Sequence, residues 1–309
     1  LSKAVHGELP EGAWSARPEV GRVYDRVHAV ESKEAAPLKR PSALTRGFAK
    51  VGRGMHDIGG EAILSMAFLG RLITATGSAL KHPGRIRWPA WVSQIERAGL
   101  DAIPIVAVTA FFIGAVVAFI GADLLQQFGF DVFAVELIAI SVLREFAVVI
   151  AAILLAGRSS SSFAAEVGAM KMNQEIDAMQ VMGVNPFQAL VIPRLAAMII
   201  MLPLLTFIAM LAGLFGGALV AWSQLDLGLA FFVQRMSVIP DIGNHLFVGL
   251  IKAPVFAIVV AAIGCRQGMA VSGDVESLGR RVTAAVVQAI FAIIFLDAVF
   301  ALIFLELNI

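Results

Sequence analysis

Five stretches of this chain dictate its class: Ile103 to Ala122, Phe133 to Ala156, Ile192 to Trp222, Phe247 to Cys265 and Val282 to Leu305 are each apolar over about 20 residues or more. A segment of that length can cross hydrocarbon only as a helix, because every backbone amide must find its partner within the segment. With 59% hydrophobic and 15% charged residues among 309, and a mean hydropathy of +0.84, the chain is too apolar for a water-soluble domain. An all-α integral membrane protein with five transmembrane helices is expected.

The basic residues beside the runs alternate. Lys81, Arg85, Arg87 and Arg97 precede the first run, none lies between the first two, and Arg158, Lys171 and Arg194 separate the second from the third. Arg235 stands alone in the next gap, and Arg266, Arg280 and Arg281 fill the last. The positive-inside rule then puts the amino terminus in the cytoplasm and the carboxyl terminus on the outer side. A further apolar stretch, Glu61 to Leu80, carries Arg71 at its middle and a polar stripe of Arg71, Thr74, Ser78 and Lys81 at steps of three and four. That pattern fits a helix lying along the cytoplasmic leaflet, the alternative being a true span with a snorkelling or buried arginine. Residues 58–98 are thus an interfacial helix and connector, and 99–309 the five-span domain. Residues 1–57 are polar, without sustained apolar period, and read as a solvated cytoplasmic tail or the remnant of an upstream domain; Leu1 in place of Met implies residues before it.

Catalytic chemistry finds little support. Cys265 is the only cysteine, four of the five histidines (His6, His28, His56, His82) precede the spans, and no ligand spacing suits a metal. Ser159 to Ser162 lack a Gly-x-Ser-x-Gly elbow and read as a helix cap. The chain has no Gly-x4-Gly-Lys-Ser/Thr phosphate loop, so ATP and its Mg belong to another subunit. No cofactor of this chain's own, no catalytic residue and no nucleic-acid partner are expected.

Ionisable residues within the runs are more telling, since a charge at the bilayer centre costs at least about 2.5 kcal/mol and faces protein or a watery cavity. Arg144 and Glu145 lie near the middle of the second run, Lys252 just inside the fourth, within snorkelling reach of the outer surface, and Asp297 in the fifth. Two readings stand: structural pairs (Glu145 with Lys252, Arg144 with Asp297), or a polar lining for an amphiphile's head group. Ala110, Gly114, Ala118 and Ala122 recur every four residues and Gly213 with Gly217 forms a Gly-xxx-Gly pair, permitting close helix approach within the chain or to a second copy. Pro203 should bend the third run and Pro254 the fourth.

Between the second and third runs lies a helix-forming, partly charged island, Gly157 to Pro193. It parses as a helix from Phe163 to Met172 capped by Ser161 or Ser162, then a second from Gln174 to Met182 capped by Asn173 and ended by Gly183; Asn185-Pro186 begins the next. On the second helix Ile176, Met179 and Met182 share one face, while Glu175, Asp177 and Gln180 point elsewhere. Such a helix suits docking into a partner's groove, its methionines adaptable; the plainer alternative is a helix resting on the membrane.

Gly157-Arg158, Phe163 to Met170, Asp177-Ala178-Met179, Met182 to Pro186 and Pro193-Arg194, with Leu143-Arg144-Glu145 and Leu250-Ile251-Lys252, together resemble MlaE-type permeases, also called YrbE proteins, the membrane subunits of MCE-associated ABC transporters. The resemblance runs from about Glu61 to the carboxyl terminus. It implies an interfacial helix, five spans and a homodimer in the bacterial inner membrane, which would make the outer side, where the carboxyl terminus is expected, the periplasm. It further implies a cytoplasmic ABC ATPase (MlaF-like) that receives the island as coupling helices, a periplasmic MCE-domain protein (MlaD-like), and a STAS-domain protein (MlaB-like) as a further candidate partner; Leu1 to Pro41 could be the remnant of a fused STAS domain. By that resemblance Arg144, Glu145 and Lys252 are candidates for a phospholipid cavity. Arg158, Glu166, Gly168, Met170, Lys171, Glu175, Asp177, Met179, Met182 and Gly183 are candidates for ATPase coupling. Two departures stand out. Ala147-Val148 occupies a place where relatives commonly carry Gly-Pro, implying a straighter second helix, and Ser159 to Ser162 lack a glycine common there. The expected function is transport of phospholipid or a similar amphiphile between inner and outer membranes. An ATP-independent secondary transporter or channel, and an intramembrane lipid-modifying enzyme using the serines, are the competing classes.

Overall fold

The computed structural model describes residues 43–81 and 88–307, so the expectations for Leu1 to Pro41, and for Arg85 and Arg87, fall outside the described residues. The chain divides into two units, Leu1–Glu61 and Ala62–Ile309. Of the first, the described part is helical. All the remaining description concerns the second.

Among the described residues there is no strand. The helices are α1 (Ala43–Lys81), α2 (Trp88–Gly99), α3 (Ile103–Gln127), α4 (Ala134–Ser141), α5 (Ala147–Leu155), α6 (Ser161–Met172), α7 (Glu175–Val181), α8 (Ile192–Leu225), α9 (Leu229–Val238), α10 (Ile242–Met269) and α11 (Val275–Glu306). Among the described residues, six helical stretches are long and apolar enough to cross a membrane: Gly59–Ala79, Trp91–Gln127, Ala134–Met172, Phe187–Leu225, Ile242–Met269 and Val275–Glu306. Phe112, Val116, Phe119 and Ile120 on α3, and Phe291, Ile294, Phe295 and Leu302 on α11, are exposed. Patches that large are untenable in water and natural against lipid. The protein is an all-α integral membrane protein.

Between helices in lipid the hydrophobic effect is weak, so small side chains that let backbones meet decide the packing. Ala110, Gly114, Ala118 and Ala122 form the buried face of α3. A Cβ built on Gly114 would lie 2.1 Å from the Gly213 carbonyl oxygen, and one on Gly216 2.1 Å from that of Phe111. The stripe therefore packs against α8 within the same chain, which settles a question that spacing leaves open.

Elements α4 to α6 form one continuous rod, Ala134–Met172, in which two π-helical turns, Val142–Phe146 and Ala156–Ser160, interrupt the α-helix. The straighter second span implied by the missing Gly-Pro carries a π turn that ends immediately before Ala147-Val148. Each π turn meets a glycine of α10. A Cβ on Gly249 would fall 2.1 Å from the Leu143 oxygen, and one on Gly264 2.7 Å from the Ser160 oxygen. A π turn widens the helix and shifts the register of the residues that follow it, and bare glycines opposite let α10 come close at both places.

The rod also corrects the serine cap. Ser161 caps no helix: its hydroxyl donates back to the carbonyls of Gly157 (2.6 Å) and Arg158 (2.8 Å), as serine does inside helices, while Ser162 donates to Glu166. Helix α9, between the third and fourth spans, is not expected from hydropathy alone. It brings Arg235, the one basic residue of that gap, to Glu136 at the start of α4 and over the Phe133 ring at 5.8 Å.

Candidate functional site

Two constellations occupy different levels of the molecule. The first is built where the π turn of the second span meets α10 and α11. Lys252, which sequence position alone would let snorkel outward, is fully buried. Its ammonium donates to the Glu145 carboxylate at 2.5 Å and the Asp297 carboxylate at 3.0 Å, with the Arg144 carbonyl at 3.4 Å. Snorkelling fails because Gly249, one turn earlier, draws α10 against Leu143 and turns Lys252 into the bundle.

The expected pair of Arg144 with Asp297 does not form, since Lys252 takes both carboxylates. Arg144 instead sits 3.7 Å from Glu145 and 3.4 Å from Nδ1 of His245. Arginine only donates, so Nδ1 is the accepting atom of this contact. His245, the one histidine after the first span begins, thus meets the cluster through Arg144. Adjacent residues on a regular helix diverge by about 100°; the contact between Arg144 and Glu145 arises within the wider π turn. Two cations and two carboxylates together are formally neutral, which reduces the cost of placing them inside a membrane protein. Glu145 and Arg144 remain part-exposed while Lys252 is sealed, so the cluster has one polar edge that a solute can reach.

The second constellation is the island. The α6 helix ends at Asn173, Gln174 follows with a φ of 60°, and α7 begins at Glu175 without a side-chain cap. The expected cap by Asn173 is not made; its amide turns instead to the Glu175 carboxylate, 3.2 Å away. Gly183 does end the helix: it takes a φ of 76°, its amide bonds the Gln180 carbonyl, and that of Val184 bonds Met179. These two bonds make a Schellman closure, which requires the left-handed residue that glycine supplies. Asn185 then accepts from the Phe187 amide at 2.9 Å and, with Pro186, starts the next helix.

The coupling candidates divide by what they touch. Glu166 binds Arg194 at 2.7 Å, and this buried arginine also donates to the Leu190 carbonyl and lies 5.7 Å above the Phe163 ring, so the pair fastens α6 to the root of the third span. Gly168 is buried, with Leu278 of α11 where a side chain would go. Arg158 pairs with Asp101 at 3.0 Å, and Lys171 with Asp177 at 2.7 Å across the α6–α7 corner. Met170 and Met179 pack on a small core of Val167, Ile176 and Leu190. Met182 leaves the face it was expected to share: it is the C-cap residue and is 71% exposed, beside Val181 at 90%. Glu175, Asp177, Gln180 and Gly183 are also exposed. Sequence patterning missed Val181 because a valine in an amphipathic helix is assigned to the buried face; the α7 helix is too short for that rule to hold.

Residues 91–303 match the model of the family described as Permease MlaE. This chain belongs to the MlaE permease family. Among known proteins, it is 32% identical over 244 residues to a probable ABC transporter permease protein of Synechocystis, covering 77% of this chain and 92% of the relative. It is 31% identical to the intermembrane phospholipid transport system permease protein MlaE of Haemophilus influenzae, over 78% of this chain and 93% of that one. A chloroplast protein of Arabidopsis thaliana, TRIGALACTOSYLDIACYLGLYCEROL 1, is 28% identical over 70% of this chain and 61% of its own length. The family match takes in α3 to α10, most of α2 and α11, and both constellations.

Proposed function

We propose that this chain is the transmembrane permease subunit of an ABC transporter that moves phospholipids, or similar amphiphiles, between the inner and outer membranes. Its motor is a separate cytoplasmic ATPase with its own ATP and Mg. In this reading the chain sits in the bacterial inner membrane as a homodimer, amino terminus inside and carboxyl terminus in the periplasm. An MCE-domain protein accompanies it outside, and a STAS-domain protein is a candidate partner inside. A relative named for intermembrane phospholipid transport, aligned over nearly its whole length, supports the substrate class.

The observation that carries the coupling is the tip of the island. Val181 and Met182 are bare apolar side chains on a short helix bounded by the Gly183 closure and braced through Lys171–Asp177 and Glu166–Arg194. An exposed apolar knob on a braced support suits a groove in another protein, and force applied there passes into the second and third spans. Substituting Val181→Glu and Met182→Glu together should abolish co-purification of the ATPase while the permease still elutes as a single folded species. Undiminished ATPase binding and lipid movement by this variant would refute the coupling role. Arg144, Glu145 and Lys252 are assigned to the lipid cavity, with the part-exposed edge of Glu145 and Arg144 meeting the head group.

The interfacial placement of Gly59–Ala79 has a specific support. Phe187 and Gln188, at the root of the third span, meet this helix near its middle and end: the Phe68 and Phe187 rings are 5.1 Å apart, and Gln188 donates to Ser78 at 3.0 Å. A helix whose midpoint lies level with another span's beginning rests at the membrane surface. Cysteine accessibility at Arg71, labelled from each side, tests this.

A further inference from the structure

A pocket of about 440 Å³ opens between α1, the α6–α7 corner and the end of α10. Its polar wall consists of Arg71, Thr74, Lys171, Gln180 and Asn185, and its apolar part includes Phe187 and Met269. No carboxylate is among the lining residues. Lys171 is engaged by Asp177 at 2.7 Å, whereas no described carboxylate pairs with Arg71. Asn185 uses its oxygen on the Phe187 amide, which leaves its NH2 as a donor. The wall is therefore rich in donors and carries positive charge.

Its depth in the membrane follows from α10. From Lys252 to Met269 along that helix is about 26 Å at 1.5 Å per residue, close to the roughly 30 Å of a hydrocarbon core. The pocket thus lies at the opposite end of the span from the Lys252 cluster, and it is open to the level of lipid head groups on the island's side. A fork of guanidinium donors at that depth recognises phosphate, and an adjoining apolar floor suits the glycerol and first methylenes of a lipid.

We infer that this pocket binds the phosphate of an anionic phospholipid head group from the leaflet on the island's side, as a site separate from the transport cavity. Occupancy would tie α1 to the coupling corner. The inference rests on the island lying at a membrane surface and not on the ATPase assignment.

The test uses the full chain in neutral detergent, with binding of dihexanoyl-phosphatidylglycerol, dihexanoyl-phosphatidylcholine and inorganic phosphate measured by native mass spectrometry. Wild type should hold the phosphatidylglycerol more tightly than the phosphatidylcholine. Arg71→Gln should weaken the former about tenfold, as expected for losing one charge-assisted contact, while Arg71→Lys keeps most of it. Thr74→Trp, which fills the pocket without changing charge, should weaken both lipids. Saturation by inorganic phosphate, with no lipid binding, would overturn the lipid assignment. Equal binding by wild type, Arg71→Gln and Thr74→Trp would overturn the site itself. A variant pair of Val181→Glu and Met182→Glu that loses the ATPase but keeps phosphatidylglycerol binding would separate this site's standing from that of the coupling role.

Discussion

Removing the Lys252 ammonium is the sharpest test of the buried cluster. In Lys252→Ala, the carboxylates of Glu145 and Asp297 lose the cation that sits 2.5 and 3.0 Å from them, and the nearest remaining cation, Arg144, is 3.7 Å from Glu145 alone. Four formal charges summing to zero become three summing to −1, and a side chain with no exposed surface leaves a void. Breaking a buried ion pair by deleting one partner costs about 3–5 kcal/mol. That corresponds to a fall in melting temperature on the order of 10 °C. Asp297→Asn should cost clearly less, because Lys252 keeps Glu145. Combining Lys252→Met with Asp297→Asn should recover much of the loss, since it restores both volume and charge balance. Fluorescence-detected thermal unfolding of the purified protein in one detergent measures all three. If Lys252→Ala melts within a degree or two of wild type, or if the double variant is no better than Lys252→Ala, the ion network does not hold this part of the bundle.

Gly114→Ala should lower stability by about 1–3 kcal/mol, since its new methyl meets the Gly213 carbonyl oxygen at 2.1 Å; Gly157→Ala, with open space around it, should be nearly silent in the same melt. Gly249→Ala should push α10 off Leu143, loosen the Lys252 cluster, and so reproduce part of the Lys252→Ala phenotype in both stability and lipid cross-linking at the cavity. Arg194→Ala should unfasten α6 from the third span, and limited proteolysis at the α6–α7 corner should speed up several-fold while the spans stay protected; unchanged cleavage would refute the brace.

Most of the spans were legible because lipid leaves a chain few choices. Where amides must be satisfied within a segment, apolar length alone locates the helix. The punctuation at Gly183 and Asn185-Pro186 was legible for a similarly local reason, as left-handed closure and Asx capping depend on a few neighbouring residues. The serine cap failed where a local rule met a continuous rod: hydroxyls able to cap an N-terminus also bond the preceding turn, and tertiary packing chose the latter. The short α9 helix was lost because its polar and apolar residues mix without a membrane-length run.

The pairing of charges exposes a deeper limit. Sequence placed Arg144, Glu145, Lys252 and Asp297 within apolar runs, and their cost in lipid meant that they had to meet something. Which one met which depended on the π turn at Val142–Phe146 and on the bare backbone of Gly249, neither of which leaves a periodic trace. A register shift before Ala147 redirects the residues on either side of it, so of the two pairs drawn on a regular helix, Glu145 with Lys252 forms while Arg144 with Asp297 does not, Asp297 going to Lys252 as well. The same argument explains why Lys252 bridges two helices instead of reaching the surface. For a lysine held in contact with two carboxylates, extending toward water would leave both of them unpaired inside the bundle, and that cost exceeds the benefit of hydrating one ammonium.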